Sequence, residues 1–110
     1  MITEYKEICA ICGYPTECEH HLVFGRGMRD KADEDGLTIP LCNRCHNMGR
    51  LAERIHDNSA AESLSKMLGQ VAWEKNYILS VIENMDDIEK RKLEREARNR
   101  FNIRYGRSYL

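Results

Sequence analysis

At 110 residues, with 42% hydrophobic and 32% charged residues and a formal net charge of −1, the chain has the size and make-up of one small domain. A core this limited gains from a structural metal, and no run reaches the roughly 18 apolar residues of a membrane span. An odd number of cysteines argues against a disulfide framework, and Met1–Lys6 has neither the basic start nor the apolar run of a signal peptide, so a reducing cytoplasmic setting is expected.

The first ordered feature in the chain is Cys9-Ala10-Ile11-Cys12-Gly13, a metal knuckle with a glycine where the chain must turn tightly. Tyr14-Pro15-Thr16 continues the turn. A strand is expected from Cys18 to Phe24, ending in the β-prone Leu22-Val23-Phe24. It carries Glu19-His20-His21, and strand alternation sends the two imidazoles to opposite faces. Residues 25–36, with three glycines and seven charges, read as a loop. Arg26, Arg29 and Lys31 in that loop either grip a phosphate backbone or pair with Asp30, Asp33, Glu34 and Asp35. A second strand, Leu37-Thr38-Ile39, is expected to end at Pro40. A second knuckle, Cys42-Asn43-Arg44-Cys45, runs straight into His46 and a helix beginning near Asn43.

The rest of the chain reads as helix. Ser59-Ala60-Ala61-Glu62 is a capping box. Leu64, Met67, Leu68, Val71 and Ala72 follow at three- and four-residue steps, predicting an apolar face. Helix is expected to continue, with or without a bend, through Trp73, Tyr77, Ile78, Val81 and Ile82, the two aromatics serving the core. Asp86-Asp87 predicts the cap of a final charged helix ending near Phe101, and 105–110 is too short to classify. Residues 89–110 hold eight basic and three acidic side chains, a net +5 that leaves −6 on residues 1–88. A basic tail on an acidic body suits a polyanion partner, with Arg95 and Arg98 among the candidate phosphate contacts.

Cys9, Cys12, Cys42 and Cys45 supply four thiolates in two close pairs, the ligand set of a closed structural zinc site. Cys18 is left over and is expected to be a small half-buried residue. The adjacent histidines between the pairs describe a second environment with an open face, to which the downstream helix can bring a further imidazole.

Glu19-His20-His21-Leu22 together with Pro40-Leu41-Cys42-Asn43-Arg44-Cys45-His46 resembles the zinc-knuckle HNH (ββα-metal) endonucleases, in particular small phage-type members. The match covers roughly residues 9–56, and the tail resembles those proteins only loosely. The resemblance implies a small α+β fold: a ββα-metal core with a four-cysteine zinc knuckle over 1–58, then a mainly helical extension over 59–110 with a basic end, one compact domain in all. It places a metal ligand at His20, a general base at His21 and a further ligand at His46. The second ion would be a divalent metal such as Mg²⁺, Mn²⁺, Ni²⁺ or Zn²⁺, and the reaction hydrolysis of DNA phosphodiester bonds to a 5′ phosphate and a 3′ hydroxyl.

His56 lies ten residues beyond His46, roughly 15 Å along an unbroken helix, so both can hold one ion only if the helix breaks. Gly49 is the candidate break. The family usually has an asparagine before the second strand, where this chain has Asp35-Gly36-Leu37. That departure leaves a second reading open, a zinc-stabilised nucleic-acid-binding or assembly module with an inactive nuclease-like site. DNA is the expected partner and no membrane is. The chain is small for an enzyme that must make two cuts, which leaves room for a homodimer or a larger phage or recombination assembly.

Overall fold

Residues 18–21 pair antiparallel with residues 38–41 in the register Cys18↔Leu41, Glu19↔Pro40, His20↔Ile39 and His21↔Thr38. These strands, β1 (Cys18–His21) and β2 (Thr38–Leu41), form the sheet of a computed structural model that describes residues 1–82 and 85–110. Helices α1 (Arg29–Glu34), α2 (Ser59–Val81) and α3 (Asp87–Tyr105), with a π-helical turn at Arg44–Met48, complete a small α+β chain. Among the described residues no helix is long and apolar enough to cross a membrane.

Several local expectations are corrected, each for a physical reason. β1 stops at His21, and Leu22 and Val23 instead bend inward to become fully buried beneath α2. Gly69 makes that approach possible: a Cβ there would lie 2.7 Å from Val23 Cγ2 and 3.0 Å from Leu22 Cβ. Pro40 lies inside β2 rather than ending it. In a two-stranded sheet each strand has an open edge, where a missing N–H is tolerated, and the Pro40 carbonyl accepts from the Ala10 amide at 2.8 Å. The charged stretch expected as loop contains α1, tied in by buried Ala32, whose carbonyl accepts from the Leu37 amide at 2.8 Å.

The start of α2 is shifted one residue upstream of the expected box. Asn58 is the N-cap, its side chain accepting from Ala61 N at 3.2 Å, while Glu62 reaches back to Asp57 N at 3.1 Å. The helix then runs as one element to Val81. Its inner face is only partly the one predicted: Leu64, Leu68 and Val71 are exposed, Met67 is half-buried and Ala72 packs against the core, whereas Ser65, Gly69, Gln70 and Glu74 are buried. The buried polar groups are occupied. Gln70 Nε2 donates to Glu74 at 2.8 Å and to Ser108 at 2.9 Å, and its Oε1 accepts from Tyr109 N. Periodicity identifies the helix correctly but only part of its inner face, because those polar groups have partners that compensate their burial.

α3 starts at Asp86, whose side chain accepts from Glu89 N at 2.8 Å, and ends at Gly106 in the left-handed region (φ 84°). It therefore runs past Phe101 to Tyr105, and both rings enter one core cluster with Leu22, Leu37, Leu41 and Ile55. Asp35 fastens this helix down. Its Oδ2 accepts from Arg104 Nε at 2.6 Å, Tyr105 OH at 2.8 Å and Trp73 Nε1 at 3.0 Å. Asp35 is thus a brace between α1, α2 and α3. Trp73 is half-buried against Phe101, in keeping with a core role.

Candidate metal centres

The first knuckle turns where Gly13, at φ 78°, lets its amide reach the Cys9 carbonyl at 2.9 Å. The second lies at the β2 exit, where the chain enters the π-helical turn. Together they bring the sulfurs of Cys9, Cys12, Cys42 and Cys45 within 4.8 Å of one another, with Cys12 Sγ 3.6 Å from Cys42 Sγ. A tetrahedron with zinc–sulfur bonds of about 2.3 Å puts its corners about 3.8 Å apart, so the four cysteines are suited to zinc.

Burial raises the Cys9 thiol, but the backbone amides of Cys12, Cys42 and Ile11 outweigh it and hold the thiol down to about 6. Burial beside the other three sulfurs pushes Cys45 up to about 12. Four adjacent thiolates repel one another, and a bound cation is what lets all four ionise. Cys18 stands outside this group, half-buried, with its thiol donating to the Leu41 carbonyl at 3.4 Å.

The second group is His20, His46 and His56, each offering a ring nitrogen within 4.8 Å of the others. Both His46 and His56 stand beside His20 in this group, because the helix does break. The π-helical turn closes with Gly49 N on the Arg44 carbonyl at 3.0 Å, and a Cβ at Gly49 would lie within about 3 Å of that backbone. The chain then doubles back, so that Ile55 N bonds Cys45 O at 2.9 Å and His56 N bonds His46 O at 3.0 Å. Arg54 clamps this reversal, donating to the carbonyls of His56 (2.9 Å), Asn47 and Gly49 (3.2 Å each) and to Asp57 (3.0 Å).

The state of His20 follows from its neighbours. Ser65 Oγ donates its one proton to the Leu22 carbonyl at 2.9 Å, so it must accept from His20 Nε2 at 2.8 Å. His20 therefore carries its proton on Nε2. Its Nδ1 keeps a lone pair and is the buried side-chain polar atom left without a partner among the described residues. A buried imidazole with its far nitrogen fixed by a second residue and its near nitrogen unpaired has the form of a metal ligand. On the His56 side, Glu62 Oε2 lies 3.6 Å from Nδ1. The Ser65→Ala variant is expected to weaken metal binding at the histidine group 10- to 100-fold, leaving the zinc content of the cysteine group unchanged. Titration with a competing chromophoric chelator would measure it.

Burial, reinforced by His56, His46 and His21 nearby, lowers the His20 pKa from 6.5 to about 3. Burial and the same cluster, with Arg29, lower His46 as well. The unfolded chain thus takes up these protons first. The stability involved is complete above about pH 6.5 and falls as pH drops toward 3, at about 1.4 kcal/mol per unit for His20 alone. Urea unfolding without added metal should be flat from pH 8 to about 6.5 and fall below it, and the His20→Gln variant should lose the His20 share of that fall.

His21 does not join the three. Strand alternation would send it away from His20, but β1 ends at His21 and both rings line one hollow with Glu19, Phe24, Gly25, Arg29, His46 and His56. Its Nε2 lies 2.7 Å from Asp33 Oδ1. Because a carboxylate only accepts, the imidazole proton sits on Nε2 and Nδ1 is left basic. Among the sequence-nominated phosphate contacts, Arg29 lines this hollow and Arg26 is exposed. Lys31 turns aside to donate to the Arg104 carbonyl at 2.7 Å, and Arg95 and Arg98 border a separate hollow where Arg98 meets Glu74 at 3.5 Å. Asp33, Arg54 and Ser65 were not legible as site residues. Ser65 alone left a trace, as a polar residue that proves to lie on the inner face of a helix.

No family model, no curated protein and no solved structure matches this chain. The two side-chain groups must therefore carry the functional reading.

Proposed function

We propose that the chain is a metal-dependent endonuclease that hydrolyses DNA phosphodiester bonds on a ββα-metal core, with Cys9, Cys12, Cys42 and Cys45 holding a structural zinc. One observation carries the reading: three convergent imidazoles share a hollow with a fourth that stands apart and is oriented by a carboxylate. Ligand and base are different roles, and this arrangement separates them. A divalent ion held by His20, His46 and His56 would supply Lewis-acid stabilisation of the charge that develops on the phosphoryl and leaving 3′ oxygens.

The chain's own groups do the rest. His21 takes a proton from the attacking water at Nδ1, while Asp33 keeps the imidazole in the required tautomer and orientation. Arg29, in the wall of the hollow, draws the phosphate in. The asparagine that the family usually carries has no counterpart in the hollow. Asp35 is occupied by Trp73, Arg104 and Tyr105, so its identity bears on folding rather than on the reaction.

The test is plasmid DNA incubated with protein and Mg²⁺, Mn²⁺ or Ni²⁺, comparing wild type with His21→Ala at equal zinc content. Cleavage lost in the variant supports the enzyme. DNA binding without cleavage under any metal would sink it in favour of the zinc-stabilised binding or assembly module.

A further inference from the structure

Three cations of the basic tail are held by carboxylates. Arg104 is taken by Asp35 at 2.6 Å and Glu34 at 2.9 Å, Arg100 by Glu96 at 3.1 Å, and Arg98 by Glu74 at 3.5 Å. Among the described residues Lys66 and Arg107 have no carboxylate within ion-pair distance, and each is held over an aromatic ring. Lys66 Nζ lies 4.7 Å from the Phe24 ring centroid and 5.8 Å from that of Tyr109. Arg107 Cζ lies 4.5 Å from the Tyr109 centroid. Phe24 is itself a wall of the histidine hollow, its ring 4.8 Å from His56 and 5.5 Å from His20.

We propose that Phe24, Lys66, Tyr109 and Arg107 form a phosphate path leading out of the histidine hollow, on which a nucleic-acid strand lies by its backbone. It rests on the nuclease reading for its ligand and assigns contacts that the charge pattern alone did not. Lys66 is half-buried without a counter-charge, an arrangement that ring faces stabilise only in part and an anion would complete. The rings also hold two long side chains in place, so little rotamer freedom remains to be lost on binding. The base of the path is tied to the body of the fold, since Tyr109 is bonded through its amide to buried Gln70 and packs on Phe101. With cations over its rings, the path presents charge rather than stacking surface, and it reads no sequence.

The experiment uses the full chain carrying His21→Ala, so that DNA is bound without being cut. Binding to two fluorescent duplexes of unrelated sequence is measured from 50 to 300 mM salt. Lys66→Met keeps the aliphatic stem over Phe24, and Arg107→Gln keeps a polar end. The pair together should weaken binding at least tenfold at low salt and flatten the log K against log salt slope by about 1.8, near 0.9 per lost phosphate contact, equally for both sequences. Lys66→Arg should restore its share, which a merely structural role would not predict. An unchanged slope with wild-type cleavage intact overturns this path alone. A flattened slope without cleavage under any metal leaves the path standing and removes the nuclease reading. No DNA binding by the parent chain overturns both.

Discussion

Removing the zinc proposed for the four-cysteine group, by a strong chelator or by Cys42→Ser, is expected to unfold the N-terminal half of the chain and to release the histidine group with it. A structural zinc of this type is worth roughly 10–16 kcal/mol of folding free energy, as much as or more than the 5–15 kcal/mol that a whole domain commonly has. Cys9, Cys42 and Cys45 are members of the core cluster, not ornaments on its edge. The second knuckle leads directly into the turn that carries His46, and the first is tied to β2 through the Ala10–Pro40 bond. Circular dichroism should show loss of the cooperative transition, with zinc falling from about one per chain to none. A Cys42→Ser variant that melts as wild type would refute the structural role.

His21→Ala is expected to lower metal-dependent cleavage by about 10²- to 10⁴-fold, the usual loss for a general base, equivalent to about 3–5 kcal/mol of barrier. Metal content at both groups should not change, because His21 belongs to neither. Asp33→Asn should fall between the two proteins. Asp33 is largely exposed, so its hold on the imidazole is weakened by solvent, yet it still selects the tautomer. Rates measured at saturating metal separate this loss from one of metal affinity. Cleavage by His21→Ala at the wild-type rate would mean that the base lies elsewhere.

The two cysteine pairs were legible because ligand spacing is a short-range property, and the same short range made His20 and His46 readable. His56 depended on a helix break, and Gly49 identified where it could occur but not that the chain would double back onto His46. That reversal is held by Arg54 through carbonyls, which leave no pattern in a sequence. The inner face of α2 was partly misread for a related reason. Ser65 and Gln70 are inside because each finds specific partners, and Gly69 is inside because Leu22 and Val23 press against it. Hydropathy weighs none of these long-range fits. The bracing role of Asp35 left no local pattern either, since its three partners lie 38 to 70 residues away.

The hydroxyl of Ser65 links His20 to the docking of α2, and this has a bearing on the order of events. All four thiols come from residues 9–45, so the cysteine group can capture its ion from a nascent or partly collapsed chain. The histidine group needs the reversal at residues 49–56 and then Ser65 in place before His20 presents the right nitrogen. The cysteine group is thus built from contacts within residues 9–45, whereas the histidine group also depends on the seating of the long helix.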